Sequence, residues 1–431
     1  MQFRVETYTN PYLAAGATRV DAVITVTATD GVGLAASGVA AVSAPADRHD
    51  AVVGIIVDVS GSMQGDRIIA ARQAVRKAIE LLDPNVSFFV VAFSSRVYLV
   101  APLRQATPDA KAYADSQVQR LEAGGQTFMS LALNAAREQF LQRPGALHYA
   151  LFLTDGKNID DDTANLETVL TQSESVFQCD CRGVGTDWQP KELQKIARKL
   201  LGTAQIIAQP SAMEADFRAA IQSAMGRSVG GVRLRLWTPK SAKVIACKQM
   251  SPEIVVLTDR ASQVDAQTLD FPTGAWGNES RDYYAAFEMA AGEINDEMLA
   301  CRPSIVYSEN GQDVKAAGPP IVATWTEDEA LSARINEQVA HYTGQEELAN
   351  AIQTGLEARD RGDVDAATHM LGRAIKLAKD SGNEDTYRKI VKVVDVVDAD
   401  NGTVRLKAHI DKADEMDLDL SSSRTSRVRK P

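Results

Sequence analysis

The chain has 431 residues, 45% of them hydrophobic and 24% charged, a composition ordinary for folded globular proteins and a length sufficient for two to four domains with their own cores. A net charge of -11 argues against nucleic acid or an anionic membrane as the main partner. No run of eighteen apolar residues occurs, so no membrane-inserted helix is expected.

The N-terminus enters an alternating strand pattern without the charged-then-apolar layout of a signal peptide, and the expected location is the cytoplasm. Residues 3–8 and 20–27 alternate with period two and are separated by Asn10-Pro11 and Gly16. They read as half-exposed antiparallel strands. Such a pair is unstable alone and cannot join the parallel sheet that begins at Ala51. Its partners are expected among the short strands at 232–237, 243–247, 254–257, 283–289, 304–307 and 321–325, whose spacing reads as a β-sandwich. The layout predicted is therefore a sandwich of residues 1–48 and 228–326 into which a separate domain, 49–227, is inserted.

That inserted domain opens on Ala51-Val52-Val53-Gly54-Ile55-Ile56-Val57, a β-branched run typical of a central parallel strand buried on both faces. Asp58-Val59-Ser60-Gly61-Ser62-Met63 follows it, at the carboxyl end where open α/β sheets bind ligands. One carboxylate and two hydroxyls on a tight turn make a site for a hard, oxygen-loving cation. Helix 67–82 comes next, with Ile68, Ala71, Val75, Ala78, Ile79 and Leu82 on one face, then strands 88–93 and 96–100, one of them an antiparallel edge. Further on, Gly124-Gly125-Gln126-Thr127 precedes helix 131–141, and strand 149–154 ends in Thr154-Asp155-Gly156. Helix 162–172, strand 175–181, helix 190–201, strand 204–208 and helix 213–227 complete a doubly wound set of six strands. Asp160-Asp161-Asp162 reads as helix capping. Four cysteines are too few for a disulfide framework. Cys179 and Cys181 share a strand face and sit too close for a good bridge, so buried thiols account for them better than a zinc site.

Together, Asp-x-Ser-x-Ser, a later Thr in a Gly-rich loop and a Thr-Asp-Gly after an apolar strand resemble the metal-ion-dependent adhesion site of the von Willebrand factor A family. Its five positions are matched by Asp58, Ser60, Ser62, Thr127 and Asp155, and the resemblance covers residues 50–227. It implies a Rossmann-like fold and a bound Mg²⁺, with Mn²⁺ or Ca²⁺ as alternatives. It also implies capture of an Asp or Glu carboxylate from a partner protein, and accords with a flanking sandwich of the kind seen in bacterial members.

From Glu327 the pattern turns helical, with segments expected at 329–343 and within 344–381 and a last helix at 384–397, making a helical region of 327–398. Residues 355–375 resemble half of a tetratricopeptide-type hairpin, and one unit is not an array. Asp398-Ala399-Asp400-Asn401-Gly402 lacks the glycine position and distal glutamate of a calcium loop and reads as a turn. The tail, 399–431, divides into acidic 411–420 and basic, hydroxyl-rich 421–431, too polar to fold and expected to be partly disordered. Thr425, between Arg424 and Arg427, fits a basophilic Ser/Thr kinase and, once phosphorylated, a forkhead-associated reader.

The functional expectation is a non-enzymatic, metal-dependent protein-interaction protein of bacterial signalling or assembly. Hydrolysis would want a general base near the metal, and His148 begins its strand at the end opposite Asp155. The alternatives are a scaffold that never uses the metal face, and a subunit serving an AAA+ ATPase.

Overall fold

The structure, a computed structural model, describes residues 1–29, 50–309 and 312–427. It divides into two compact units, one formed by the inserted domain and one by the chain on either side of it. The expected boundary at 48/49 and the last four residues of the tail lie outside the described residues.

The inserted unit is a six-stranded sheet in the order Val97–Gln105, Ser87–Phe93, Ala51–Asp58, Leu147–Thr154, Gln178–Val184, Ala204–Ile207. All pairs are parallel except the first, which makes Val97–Gln105 the antiparallel edge strand. The apolar run of the central strand is buried on both faces, as its lack of alternation predicts. On one face Ile68, Ala71, Val75, Ala78 and Ile79 of helix Asp66–Leu81 and Phe217 and Ile221 of helix Met213–Met225 pack onto Val53, Ile55 and Val57. Phe140 of helix Met129–Phe140 meets Phe89 edge-on, ring centroids 4.8 Å apart. Helix Pro108–Val118 was not expected, because only Ala110, Ala114 and Val118 carry its buried stripe and small residues give a weak apolar period. Thr107 caps it, accepting from the Ala110 amide at 3.3 Å.

The second unit contains the sandwich. Gln2–Thr9, Arg19–Thr29, Glu279–Met289, Ala242–Ser251 and Val255–Val256 form one sheet. The other runs Ser262–Asp265, Thr268–Trp276, Val229–Trp237, Glu297–Glu309, Ile321–Thr326, Tyr12–Ala14, with Gln312–Ala317 also on Glu297–Glu309. Phe3 of the first sheet reaches Trp276 and Tyr307 of the second, with ring centroids 5.5 and 4.9 Å away. The N-terminal strands thus find their partners in the chain beyond the insertion, as expected. Tyr12–Ala14, Ser262–Asp265, Thr268–Trp276 and Gln312–Ala317 are additional strands, three of them too short or too polar to alternate visibly.

The helical region differs from the expected boundaries. The break falls after Ser332, not at Gly344: Glu337–Asp360 is one helix of 24 residues, begun by Asn336, whose side chain accepts from the Gln338 amide. Its Val339 and Tyr342 pack on Val23 and Met250 of the first sheet. Helix Glu384–Val393 also stops four residues short of the expected 397. Val394–Asp398 turns instead into a hairpin with Thr403–Leu406, because a Val-Val-Asp-Val-Val run favours extended backbone. Asp398 holds the turn by accepting from the Asp400 and Asn401 amides at 3.0 and 3.2 Å.

The tail is the largest correction. Lys412–Ser421 is a helix whose Leu418 joins a core with Leu348, Ile352, Leu371, Ile375, Ile390 and Val404. Ser421, Ser422 and Ser423 are buried, and residues 424–427 run as a strap along the first sheet. The Thr425 amide donates to the Pro252 carbonyl at 3.1 Å and its hydroxyl to the Met250 carbonyl. Composition assigned these residues to solvent because none of them is apolar; backbone and side-chain hydrogen bonds and one ion pair hold them instead.

Candidate metal centre

The five predicted residues come together at the carboxyl edge of the six-stranded sheet. Asp58 ends the central strand opposite Phe93, and Leu153 lies opposite Val57, so Thr154 is level with Asp58 and Asp155 follows one residue beyond. Asp58, Ser60, Thr127 and Asp155 are buried, and Ser62 faces solvent. The turns are stitched by backbone: Gly61 N–H donates to the Gly125 carbonyl at 2.9 Å and Gly124 N–H to the Val59 carbonyl at 2.7 Å. Gly125 takes φ +90° there, where a side chain would be strained and would press Ser95 Oγ at 2.9 Å.

The side chains form one connected set. Ser60 N–H donates to Asp58 Oδ1 at 2.7 Å, the Ser60 and Ser62 hydroxyls are 3.0 Å apart, and Ser62 Oγ donates to Asp155 Oδ1 at 2.6 Å. Gly156 shows how tightly the oxygens converge. A Cβ placed on it would lie 2.8 Å from Thr127 Oγ1, 3.3 Å from Ser62 Oγ and 3.8 Å from Ser60 Oγ. Three converging hydroxyls, two of them linked to the carboxylates of Asp58 and Asp155, are a hard-oxygen donor set, the kind Mg²⁺ and Ca²⁺ prefer. Among the described residues no group of three or more His, Cys, Asp or Glu could hold a metal, which is consistent with a site whose majority donors are hydroxyls.

Asp58 is the electrostatic centre. Burial pushes its carboxyl up to about 6 against the hydrogen bonds from Thr154 and Ser60 that lower it, and the nearby Asp155 adds to the rise. Two buried acids lie side by side, and the only cation paired with either of them among the described residues, Arg67, is on Asp155, not Asp58.

Four residues support the set through contacts that the sequence did not reveal, two of them, Thr154 and Asp162, lying in segments already read as a metal-loop motif and a helix cap. Thr154 donates its hydroxyl to Asp58 Oδ2 at 2.5 Å. Arg67 bridges Asp155 Oδ2 at 2.6 Å and Asp187 Oδ2 at 2.9 Å, and these hydrogen bonds raise its own pKa. Its only sequence signal was its place at the start of helix Asp66–Leu81. Asn158 Oδ1 accepts from the Met129 amide at 2.9 Å, and Asp162 accepts from the Ser130 amide at 2.9 Å and from its hydroxyl. Asp162 therefore caps helix Met129–Phe140 rather than its own helix, which shows no side-chain cap. That cross-capping ties the Asp155 loop to the Thr127 loop. His148 lies at the far end of its strand, its ring nitrogens 2.9 and 2.8 Å from the Arg143 and Val176 carbonyls.

Gly156→Ala tests the convergence directly. Gly156 is not at positive φ, so the backbone accepts alanine, but the methyl must displace the stiff Thr127 side chain. The expected result is divalent-ion affinity weakened at least tenfold in calorimetry, at a stability cost of about 1–3 kcal/mol in chemical denaturation.

Comparison with known proteins agrees with this geometry. The von Willebrand factor type A domain family model matches residues 51–206, and the von Willebrand factor type A C-terminal domain model matches residues 376–422. A von Willebrand factor type A protein from Catenulispora acidiphila is 41% identical, superposes with a TM-score of 0.91, and the match covers 99% of this chain and 97% of that one. The ArnB paralog VWA2 from Sulfolobus acidocaldarius shares the fold at 15% identity and a TM-score of 0.59, over 98% of this chain and 97% of its own. An uncharacterised Synechocystis protein is 27% identical over 227 residues, 51% of this chain, and the bovine inter-alpha-trypsin inhibitor heavy chain H4 is 28% identical over 174 residues, 36% of this chain. The chain spans 54% of the length of the first and 18% of the second. With a metal-type loop set on a doubly wound sheet, and a relative matched along nearly the whole of both chains, this chain belongs to the von Willebrand factor type A family.

Proposed function

We propose that the protein is a non-catalytic interaction protein of the bacterial cytoplasm, serving signalling or assembly, in which Asp58, Ser60, Ser62, Thr127 and Asp155 hold a divalent cation. Mg²⁺ is the first choice, with Mn²⁺ or Ca²⁺ as alternatives. When bound, the cation supplies a positive centre that draws an Asp or Glu carboxylate of a partner protein. The observation that carries this reading is the convergence of three hydroxyls on Gly156, hydrogen-bonded through Ser60 and Ser62 to the carboxylates of Asp58 and Asp155.

Each residue has a part in it. Asp58, held by Thr154 and Ser60, contributes a buried negative charge; Ser62 is the exposed member and faces the direction from which a partner arrives. Arg67 orients Asp155 and fixes the Asp187 loop beside it. The remoteness of His148, the only histidine in residues 50–230, supports a binding role over a hydrolytic one. No helix among the described residues is long and apolar enough to cross a membrane.

The test is affinity capture from native lysate with the full chain as bait, in Mg²⁺ and in EDTA, read by mass spectrometry. A partner retained only in Mg²⁺ is expected. The same partners in both conditions would replace this reading with that of a metal-independent scaffold.

A further inference from the structure

Next to the metal loops lies an open groove of about 720 Å³, within the size range of roughly 300–1,000 Å³ typical of binding clefts. It is continuous with the site: Val59, between Asp58 and Ser60, and Gly124 and Gly125, just before Thr127, form part of its wall. Others of its lining residues are apolar yet exposed. Tyr98 and Leu99 on the edge strand are 50% and 47% exposed, and Tyr113 on helix Pro108–Val118 is 42% exposed. Consecutive exposed apolar residues on an unpaired sheet edge are uncommon, because such edges invite pairing with other chains. Tyr113 carries the Arg104 guanidinium over its ring, 5.1 Å from the centroid, and neither the fold nor the metal site explains the exposure of Tyr98 and Leu99.

The charges of the groove are as telling. Arg96 and Arg120 both line it and are exposed, and neither guanidinium has a hydrogen-bond or ion-pair partner among the described residues. Glu122 is the one acid in the lining. In a chain of net charge -11, two unpaired arginines against one acid, beside a cation-holding site, make a locally positive surface. Its complement is acidic.

We propose that this groove is the second half of the partner-binding surface. It takes a protein segment that places one Asp or Glu at the metal site, an aromatic or branched aliphatic side chain against Tyr98, Leu99 and Tyr113, and a further carboxylate opposite Arg96 and Arg120. The proposal rests on the metal-site reading for its first contact, and the groove supplies what a single carboxylate cannot, discrimination among acidic partners.

A phage-displayed library of 12-residue peptides with one fixed central Asp, selected on the full chain in Mg²⁺, tests it. Fluorescein-labelled winners are then titrated by fluorescence polarisation. Enrichment of an apolar residue and a second acid on one side of the fixed Asp is expected. Affinity should fall at least tenfold in both Tyr98→Ser and Arg120→Glu, whose exposure leaves the fold undisturbed, with Mg²⁺ affinity unchanged. Winners that bind both variants as well as wild type but are lost in EDTA overturn the groove and leave the metal reading standing. Winners indifferent to EDTA but lost in both variants uphold the groove as a docking surface and overturn the metal reading. Failure to enrich any sequence overturns the proposal.

Discussion

Asp58→Asn is expected to abolish measurable Mg²⁺ binding in calorimetry while leaving the metal-free domain folded, and at pH 7 more stable than wild type. Asparagine keeps the shape of the side chain: its one oxygen accepts from the Ser60 amide, and its amide nitrogen, at the position of Oδ2, donates to the Thr154 hydroxyl, which turns from donor to acceptor. It removes one of the two carboxylates proposed to hold a divalent ion. The stability effect follows from burial, which raises the Asp58 pKa to about 6 from an ordinary 3.8. A carboxyl raised in this way binds its proton more readily when folded. Its stabilising contribution is complete below about pH 3.8 and is lost as pH rises through about 6, where the charge must be held buried. Holding that charge buried destabilises the metal-free protein at neutral pH by on the order of a few kcal/mol, a cost asparagine never incurs. The same proton competes with the ion, so wild-type Mg²⁺ affinity should fall about tenfold between pH 7 and pH 5. Calorimetry at the two pH values, with thermal denaturation of both proteins in EDTA, checks all three outcomes. Undiminished ion binding in Asp58→Asn would mean that the centre lies elsewhere.

The five oxygen-bearing residues of this site were legible because each belongs to a short segment with its own local signature: an apolar strand that stops, a glycine that allows a turn, a hydroxyl or carboxylate just beyond. The residues that hold them were not legible. Arg67 reaches Asp155 across 88 positions and Asp162 reaches Ser130 across 32, and no periodicity reports on a contact between loops. The same distinction divides the fold. Strands with buried β-branched runs were evident, and helix Pro108–Val118 was hidden by alanines. The strap at 424–427 had no signal, since it is attached by an isolated β-bridge, by hydrogen bonds between the Thr425 hydroxyl and Met250 and between His341 and the Ser426 carbonyl, and by a charge pair with a residue some 145 positions away.

That charge pair carries the second large effect. Asp282, with a side chain only 3% exposed, accepts from Arg427 Nε at 2.7 Å and Nη2 at 3.0 Å, from the Tyr342 hydroxyl at 2.5 Å and from Thr25 Oγ1 at 2.5 Å. One carboxylate thus joins a sheet strand, the long helix and the C-terminal strap. Removing it leaves two hydroxyls and a guanidinium without their acceptor, a loss of about 3–5 kcal/mol. Asp282→Ala should therefore lower the melting temperature of the sandwich unit by on the order of 10 °C. Arg427→Ala should cost less, because Arg427 is 41% exposed and Asp282 keeps its two hydroxyl donors. The strap also sets the terms for Thr425: with its hydroxyl on the Met250 carbonyl, it is open to a kinase only after the strap peels away. Asp282→Asn, which weakens the ion pair and leaves the kinase-facing sequence intact, should accelerate phosphorylation of Thr425 by a basophilic kinase in vitro severalfold over wild type. Equal rates in the two proteins, together with an unchanged melting temperature in Asp282→Ala, would show that the tail is the solvated end its composition suggested.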